Sequence, residues 1–170
     1  MTGAARQRPG RPRVLARAAL RGAAGGLVGA VGMAAGQFLE RRVTGRPASF
    51  VPGRTLLTLV GRHPGDDERP LAATVVMGAL TGAGTGALRG VWRATGLVAV
   101  RADVVQTLTR VIVDQTLENA AGTGAPPRTW RHGEGAVEVL HAAVAAVVSG
   151  AVVERLVQPE LESRRGTTSR

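Results

Sequence analysis

Residues 71–90 read LAATVVMGALTGAGTGALRG and place a glycine at every fourth position from residue 78 onward. Because residues four apart lie on one face of an α-helix, these glycines form a smooth strip: Gly78, Gly82, Gly86 and Gly90. In a soluble protein, a glycine lowers the stability of a helix by about 1 kcal/mol relative to alanine. In a membrane, such a glycine strip instead allows two helices to pack closely. The stretch therefore predicts a membrane-spanning helix that packs through glycine.

Three further segments have a comparable length. The 18 residues 22–39 are uncharged and end at Glu40-Arg41-Arg42. At about 1.5 Å per residue they extend about 27 Å, close to the hydrocarbon thickness of about 30 Å. This first segment repeats the glycine spacing at Gly25, Gly29, Gly32 and Gly36. We predict an all-α fold, a four-helix transmembrane bundle with Gly-zipper packing, formed by residues 22–157 with spans 22–39, 71–90, 97–117 and 137–155.

The composition excludes several classes of protein. The chain has no cysteine, which excludes a disulfide-stabilised scaffold and a cysteine-ligated metal domain. It is 44% hydrophobic, which argues against general disorder. The net charge is +10, and all of the basic residues that produce it are arginines. Six arginines occur within residues 1–21, which contain no acidic residue: Arg6, Arg8, Arg11, Arg13, Arg17 and Arg21. We predict that residues 1–21 form a basic cytoplasmic tail in contact with anionic lipid, and that residues 158–170 form a polar C-terminal tail.

The distribution of arginine predicts the orientation. If the N-terminus is inside, 13 arginines lie on the inner side and eight on the outer side. This favours a multi-pass protein of the bacterial cell membrane with both termini in the cytoplasm. A soluble helical bundle is the alternative, because glycine and alanine insert weakly and the mean hydropathy is only +0.07.

Several short motifs carry a resemblance. The first glycine-rich helix continues into ERRVTGRPAS at 40–49, the glycine ladder ends at Arg89-Gly90, and Gly124-Ala125-Pro126-Pro127 precedes a last helix with His141. In these features the chain resembles a group of uncharacterised small bacterial integral membrane proteins with four Gly/Ala-rich helices. The resemblance implies a location and an architecture but no activity. Members usually have a histidine and aromatic residues in helix two and Tyr-Gly after the last histidine, which this chain lacks.

Ionisable residues within the apolar segments are the candidate functional groups. Asp103, Arg110 and Asp114 share one helical face, and such groups at membrane depth usually face the protein interior or water. They favour either an ion or proton path with carboxylate relays, a structural Arg110–Asp114 pair, or a helix lying at the interface. His141 lies three residues after Glu138, a spacing that can serve a metal, but further ligands are missing. We predict no catalytic residue, metal or cofactor, and no enzymatic activity.

These observations favour a small polytopic membrane protein that acts as a structural or interaction component. Its expected partners are the lipid bilayer and either a second copy of itself or another membrane protein. Two alternatives stay open: an ion channel or proton-coupled transporter, and a soluble basic helical protein that binds nucleic acid. The basic tail runs directly into the first hydrophobic segment, which favours lipid over nucleic acid as its partner.

Overall fold

The computed structural model describes residues 10–125 and 133–161, which contain five α-helices and no strand. The helices are α1 (Arg11–Thr44), α2 (Val51–Leu59), α3 (Leu71–Ala94), α4 (Ala99–Ala120) and α5 (Glu134–Leu156). The four long helices correspond to the four predicted segments. The nine-residue α2 was not predicted, and it lies in the connection between the first two segments.

The long helices pack in antiparallel pairs. α1 contacts α3 and α5, while α4 contacts α5 and α3. Consequently the N-termini of α1 and α4 lie at the same end as the C-termini of α3 and α5. We call this the Arg21 end, because Arg21 donates a hydrogen bond of 3.0 Å to the Leu156 carbonyl there. The opposite end is the Arg46 end, where Arg46 pairs with Glu134 at 3.5 Å.

α1 extends well beyond the predicted 18-residue span. Its 34 residues are about 51 Å long, so residues 11–21 of the predicted tail belong to the helix. Pro12 is tolerated there because the first helical turn has no internal partner for an N–H group. The helix ends at Gly45, whose φ of 70° is readily adopted by glycine and whose N–H bonds the Arg41 carbonyl.

α1 and α3 meet through glycine. A Cβ built on Gly86 would lie 2.5 Å from both the carbonyl oxygen of Gly22 and the Cα of Gly26, where ordinary contacts begin at 3.4 Å. Cβ atoms on Gly82 and Gly90 would also collide with α1. Only the absence of side chains allows these two backbones to lie so close.

The other predicted packing glycines behave differently. Gly25 and Gly29 face α5, where a Cβ would meet Val153 and Ser149 respectively, and Gly32 and Gly36 follow on the same side. Gly78 is the exception to the predicted strip, because a Cβ there would meet nothing within 4 Å. Close contact with α1 therefore begins at Gly82, one turn later than the sequence pattern suggests.

Three helices, α1, α3 and α5, are long and apolar enough to cross a membrane. α4 has a suitable length but does not reach the same hydropathy. The short α2 packs at the Arg46 end, where Gly53 lies against Thr74 of α3 and the hydroxyls of Thr55 and Thr123 are 2.6 Å apart. α2 thereby connects the start of α3 with the end of α4.

Candidate functional site between three helices

The most deeply buried charge is Arg89, near the C-terminal end of α3. Its side chain is 1% exposed. Its guanidinium forms an ion pair with Asp103 of α4 at 2.8 Å and another with Glu154 of α5 at 3.6 Å. It also donates a hydrogen bond of 3.4 Å to the side-chain oxygen of Gln106. We call these four residues the Arg89 cluster; it joins α3, α4 and α5 near the Arg21 end.

A glycine on α5 makes room for the Arg89 guanidinium. A Cβ built on Gly150 would lie 2.6 Å from Nη2 of Arg89 and 2.8 Å from Oδ1 of Asp103. Both distances are below any normal carbon contact, so even alanine would displace the ion pair. Gly150 therefore gives the guanidinium and the carboxylate their present positions, and both are the ends of flexible side chains.

Glu154 connects the Arg89 cluster to the start of α4. Its carboxylate accepts a hydrogen bond of 3.0 Å from the backbone N–H of Ala99, the first residue of α4. A carboxylate is favourable at this position because the N-terminal end of a helix carries a partial positive charge. Ala99 itself has a φ of 52°, in the left-handed region that non-glycine residues rarely adopt. The surrounding contacts thus hold the α3–α4 turn in a strained conformation.

The Arg89 cluster contains more negative than positive charge. One guanidinium faces two carboxylates, and Nε of Arg89 has no hydrogen-bond partner among the described residues. Removing one partner of a buried ion pair typically costs about 3–5 kcal/mol, because the remaining charge is left without compensation. Asp103 and Arg89 therefore depend on each other, whereas Glu154 is 40% exposed and reaches solvent.

A second polar group lies further along α4. Arg110 and Asp114, one turn apart, form an ion pair of 2.5 Å in which the arginine side chain is 7% exposed. Beyond them the amide of Gln115 donates hydrogen bonds to Glu118 at 3.4 Å and to Glu138 of α5 at 3.3 Å. We call these five residues the Arg110 cluster; it joins α4 to α5 toward the Arg46 end.

Glu118 has an unusual environment. It lies beyond the predicted span 97–117, at the C-terminal end of α4, where Thr123 donates a hydrogen bond to its carbonyl and Gly124 packs against its side chain. Burial, together with the nearby carboxylates of Glu138 and Asp114, raises the pKa of Glu118 to about 7. Glu118 is therefore expected to change charge near neutral pH.

The predicted polar residues separate into different sites. Asp103 pairs with Arg89 rather than with Arg110, so the shared face of α4 contains two clusters instead of one. His141 is buried, and its Nε2 has no hydrogen-bond partner among the described residues. It lies near Gly36 of α1, away from the α4 clusters. Within 10–125 and 133–161, no three potential ligands come together to hold a metal ion.

Four of the six predicted basic residues are described, and they lie at the Arg21 end. Arg11, Arg13 and Arg17 are exposed on the first turns of α1, and Arg21 is partly buried through its bond to Leu156. Arg6 and Arg8 lie outside the described residues.

Sequence reasoning missed Arg89, Gln106 and Glu154 as members of a site, and the small-residue spacing of Ala142, Ala146 and Gly150 indicated only helix packing for Gly150. Arg89 was counted among the inner arginines that mark the end of a hydrophobic segment. A signal was nevertheless available, because Thr81, Thr85 and Arg89 follow at four-residue intervals and form a polar strip beside the glycine strip. All three are buried.

The distribution of polarity between core and surface is inverted relative to a soluble protein. The fully buried side chains with the largest volume include Arg89, Thr55 and Ser149, and most buried apolar residues are alanines. Leucines and valines are instead exposed on every long helix, for example Leu20, Val75, Leu108 and Val147. A soluble protein of this size normally buries such residues and exposes its charges.

Comparison with protein-family models, with curated proteins and with solved structures finds no match to this chain.

Proposed function

We propose that the chain is an integral membrane protein whose four long helices form a bundle, and that it acts as a structural or interaction component. The observation that carries this proposal is the inverted distribution of polarity. In water, exposed leucine and valine on all four helices would favour aggregation, whereas in lipid they are the surface a membrane protein requires. The three membrane-length helices support the same conclusion.

α4 provides the sharpest support, although its hydropathy is the lowest of the four. Between Ala102 and Gln115 its exposed residues are all apolar: Val104, Val105, Leu108 and Ile112. Its ionisable residues in the same stretch point inward, and Arg110 is only 6% exposed. A helix with its charges inside and its aliphatic side chains outside fits lipid and is unfavourable in water. We therefore assign α4 as the fourth span, up to the turn before Glu118.

The close contact between α1 and α3 supports the glycine-zipper part of the proposal. Without a hydrophobic driving force in lipid, helices associate through tight van der Waals contact. Gly22, Gly26, Gly82, Gly86 and Gly90 provide this contact, since a side chain on any of them would collide with the facing backbone.

For the orientation we propose that the Arg21 end faces the cytoplasm of a bacterial cell. The exposed Arg13 and Arg17 extend this end beyond the hydrocarbon, because α1 is about 21 Å longer than the core thickness of about 30 Å. Arginines just outside the hydrocarbon keep this end of the bundle on the cytoplasmic side of the membrane. Their guanidinium groups bind anionic lipid headgroups.

The decisive experiment is fractionation of cells that express the full chain, with an alkaline carbonate wash of the membrane pellet. We expect the chain to stay in the pellet and to be released only by detergent. Release by carbonate, or recovery in the soluble fraction, would contradict the proposal. Either result would favour the alternative of a soluble basic protein that binds nucleic acid. That alternative is tested by measuring whether nucleic-acid binding weakens steeply as the salt concentration rises.

A second candidate function is proton-coupled transport along α4. One specific observation favours it: polar side chains recur once per turn on the inner face of the helix, at Asp103, Gln106, Arg110, Asp114 and Glu118. This ladder covers 15 residue steps, about 22 Å. Near its start Arg89 pairs with both Asp103 and Glu154, and near its end Gln115 donates a hydrogen bond to Glu138 of α5.

Reconstituted liposomes with an internal pH dye would test this second function. We expect a proton flux in the parent chain that Asp114→Asn abolishes, because the amide cannot accept and release a proton. Leu108→Ala, on the lipid-facing side of the same helix, is the control and is expected to keep the flux. A parent chain without flux would exclude transport and leave the structural role.

A further inference from the structure

α4 is too polar to enter a membrane independently. Of its five charged residues, Asp103, Arg110 and Asp114 lie within the proposed span, whereas Arg101 is exposed near its start and Glu118 lies beyond its end. Each charge at the centre of an isolated span costs about 2.5–3.5 kcal/mol on insertion scales. α4 is also absent from the helices that are apolar enough to span. Its position beside α3 and α5 therefore requires partners for its charges.

Partners for these charges are available, but only one pair forms within α4. Arg110 and Asp114 neutralise each other on the helix itself at 2.5 Å. Asp103 has no such partner on α4 and depends on Arg89 of α3 at 2.8 Å. Arg89 in turn is 1% exposed in the folded chain, and Asp103 is its nearest carboxylate. Each helix thus supplies the counter-charge that the other requires.

The chain connectivity favours formation of this pair before the rest of the fold. Only the four residues 95–98 separate α3 from α4, so Arg89 and Asp103 are 14 positions apart in sequence. The pair can therefore form inside a helical hairpin without α1 or α5. Glu154 joins later from α5 and lies at the exposed rim of the cluster.

We propose that α3 and α4 enter the membrane as one hairpin and that Arg89 is the residue that retains α4 there. The proposal rests on the membrane location proposed above. Without Arg89, the unpaired Asp103 keeps α4 at the Arg21 end. The segment that follows α4 then lies on the opposite side of the membrane from its position in the parent chain.

The absence of native cysteine makes this topology directly measurable, because single introduced cysteines have no background. Ala48→Cys marks the Arg46 end between α1 and α2, and Asn119→Cys marks the end of α4. Both positions are exposed. A membrane-impermeant maleimide applied to intact cells, and then to opened cells, reports the side of each cysteine.

We expect the two cysteines to lie on the same side in the parent chain and on opposite sides in Arg89→Ala. Arg101→Ala is the matched control, since it removes an exposed arginine near the start of α4 and is expected to leave both cysteines on one side. If the two cysteines stay together in Arg89→Ala, the proposal is overturned.

A double variant keeps the test decisive if Arg89→Ala is degraded. Arg89→Ala with Asp103→Ala removes both buried charges, so we expect normal accumulation and both cysteines again on the same side. If the double variant does no better than Arg89→Ala, the mutual dependence of the two charges is refuted. Failure of the membrane proposal itself is distinct, because it releases the parent chain during the carbonate wash.

Discussion

Replacing Gly86 with alanine tests the contact between α1 and α3 with the smallest possible perturbation. The added Cβ would lie 2.5 Å from the Cα of Gly26 and from the carbonyl oxygen of Gly22, whereas ordinary contacts begin at 3.4 Å. The two helices must therefore separate by about 0.9 Å at this point, the difference between these distances. A gap of 0.5–1 Å forfeits about a quarter to a half of the dispersion energy of the separated atoms.

The expected destabilisation follows from this displacement. Overpacking of a tight core by one methyl group typically costs about 1–3 kcal/mol. For a chain of this size, each kcal/mol lowers the melting temperature by about 2–4 °C, so a decrease of roughly 2–12 °C is expected. Thermal unfolding of the detergent-solubilised protein, followed by circular dichroism, measures it.

The matched control is two residues away on the same helix. Gly84 is exposed, and a Cβ there would meet nothing within 4 Å. Gly84→Ala adds the same atom and the same gain in helix propensity, up to about 1 kcal/mol, without any collision. Equal melting temperatures for Gly86→Ala and Gly84→Ala would refute the argument that backbone contact through glycine holds α1 and α3 together.

Three further outcomes are expected. Gly150→Ala should lower the melting temperature less than Gly86→Ala, because its Cβ meets the ends of the flexible Arg89 and Asp103 side chains instead of backbone; an equal or larger decrease would show that the cluster cannot adjust. Gly82→Leu should disrupt the fold far more than Leu80→Ala, because Gly82 is buried against α1 and Leu80 is 57% exposed; comparable elution as folded protein in size-exclusion chromatography would contradict this. The raised pKa of Glu118 means that the folded protein holds this proton more tightly than the unfolded chain does, so stability should decrease as the pH rises from about 4.5 to about 7. Glu118→Gln should flatten that part of the profile of melting temperature against pH, and an unaltered slope would assign the effect to another group.

The glycine contacts show which part of the fold a sequence pattern can predict. A four-residue spacing specifies a face of a helix, and Gly82, Gly86 and Gly90 all lie on the face that meets α1. The same spacing cannot specify where along the face a neighbour begins. Gly78 continues the strip in sequence, but no atom of α1 lies within reach of it. The extent of a contact depends on the crossing geometry of two helices, which is a property of the pair.

Arg89 shows the opposite case, a functional candidate that hydropathy conceals. A charged residue at the end of an apolar run usually marks the point where a helix leaves the membrane. Here the same residue is buried, because Gly150 of α5 leaves space for it and Asp103 of α4 compensates its charge. Neither partner belongs to the α3 segment itself, since Asp103 lies on the next helix and Gly150 on α5. Within α3, the sequence does contain a polar strip formed by Thr81, Thr85 and Arg89. This strip indicates a buried site only when it is known that a polar helix packs against it.

The position of α4 also depends on the helices that pack against it. Its average hydropathy describes a helix that should remain in water, yet the average treats every residue as if lipid surrounded it. The structure divides α4 into an outer face represented by Leu108 and Ile112 and an inner face represented by Gln106 and Arg110. Only the outer face would meet lipid, and the inner face meets the polar residues of α3 and α5. A helix of this kind is a property of the assembled protein, and for that reason its place in the membrane should depend on the counter-charge that Arg89 supplies from α3.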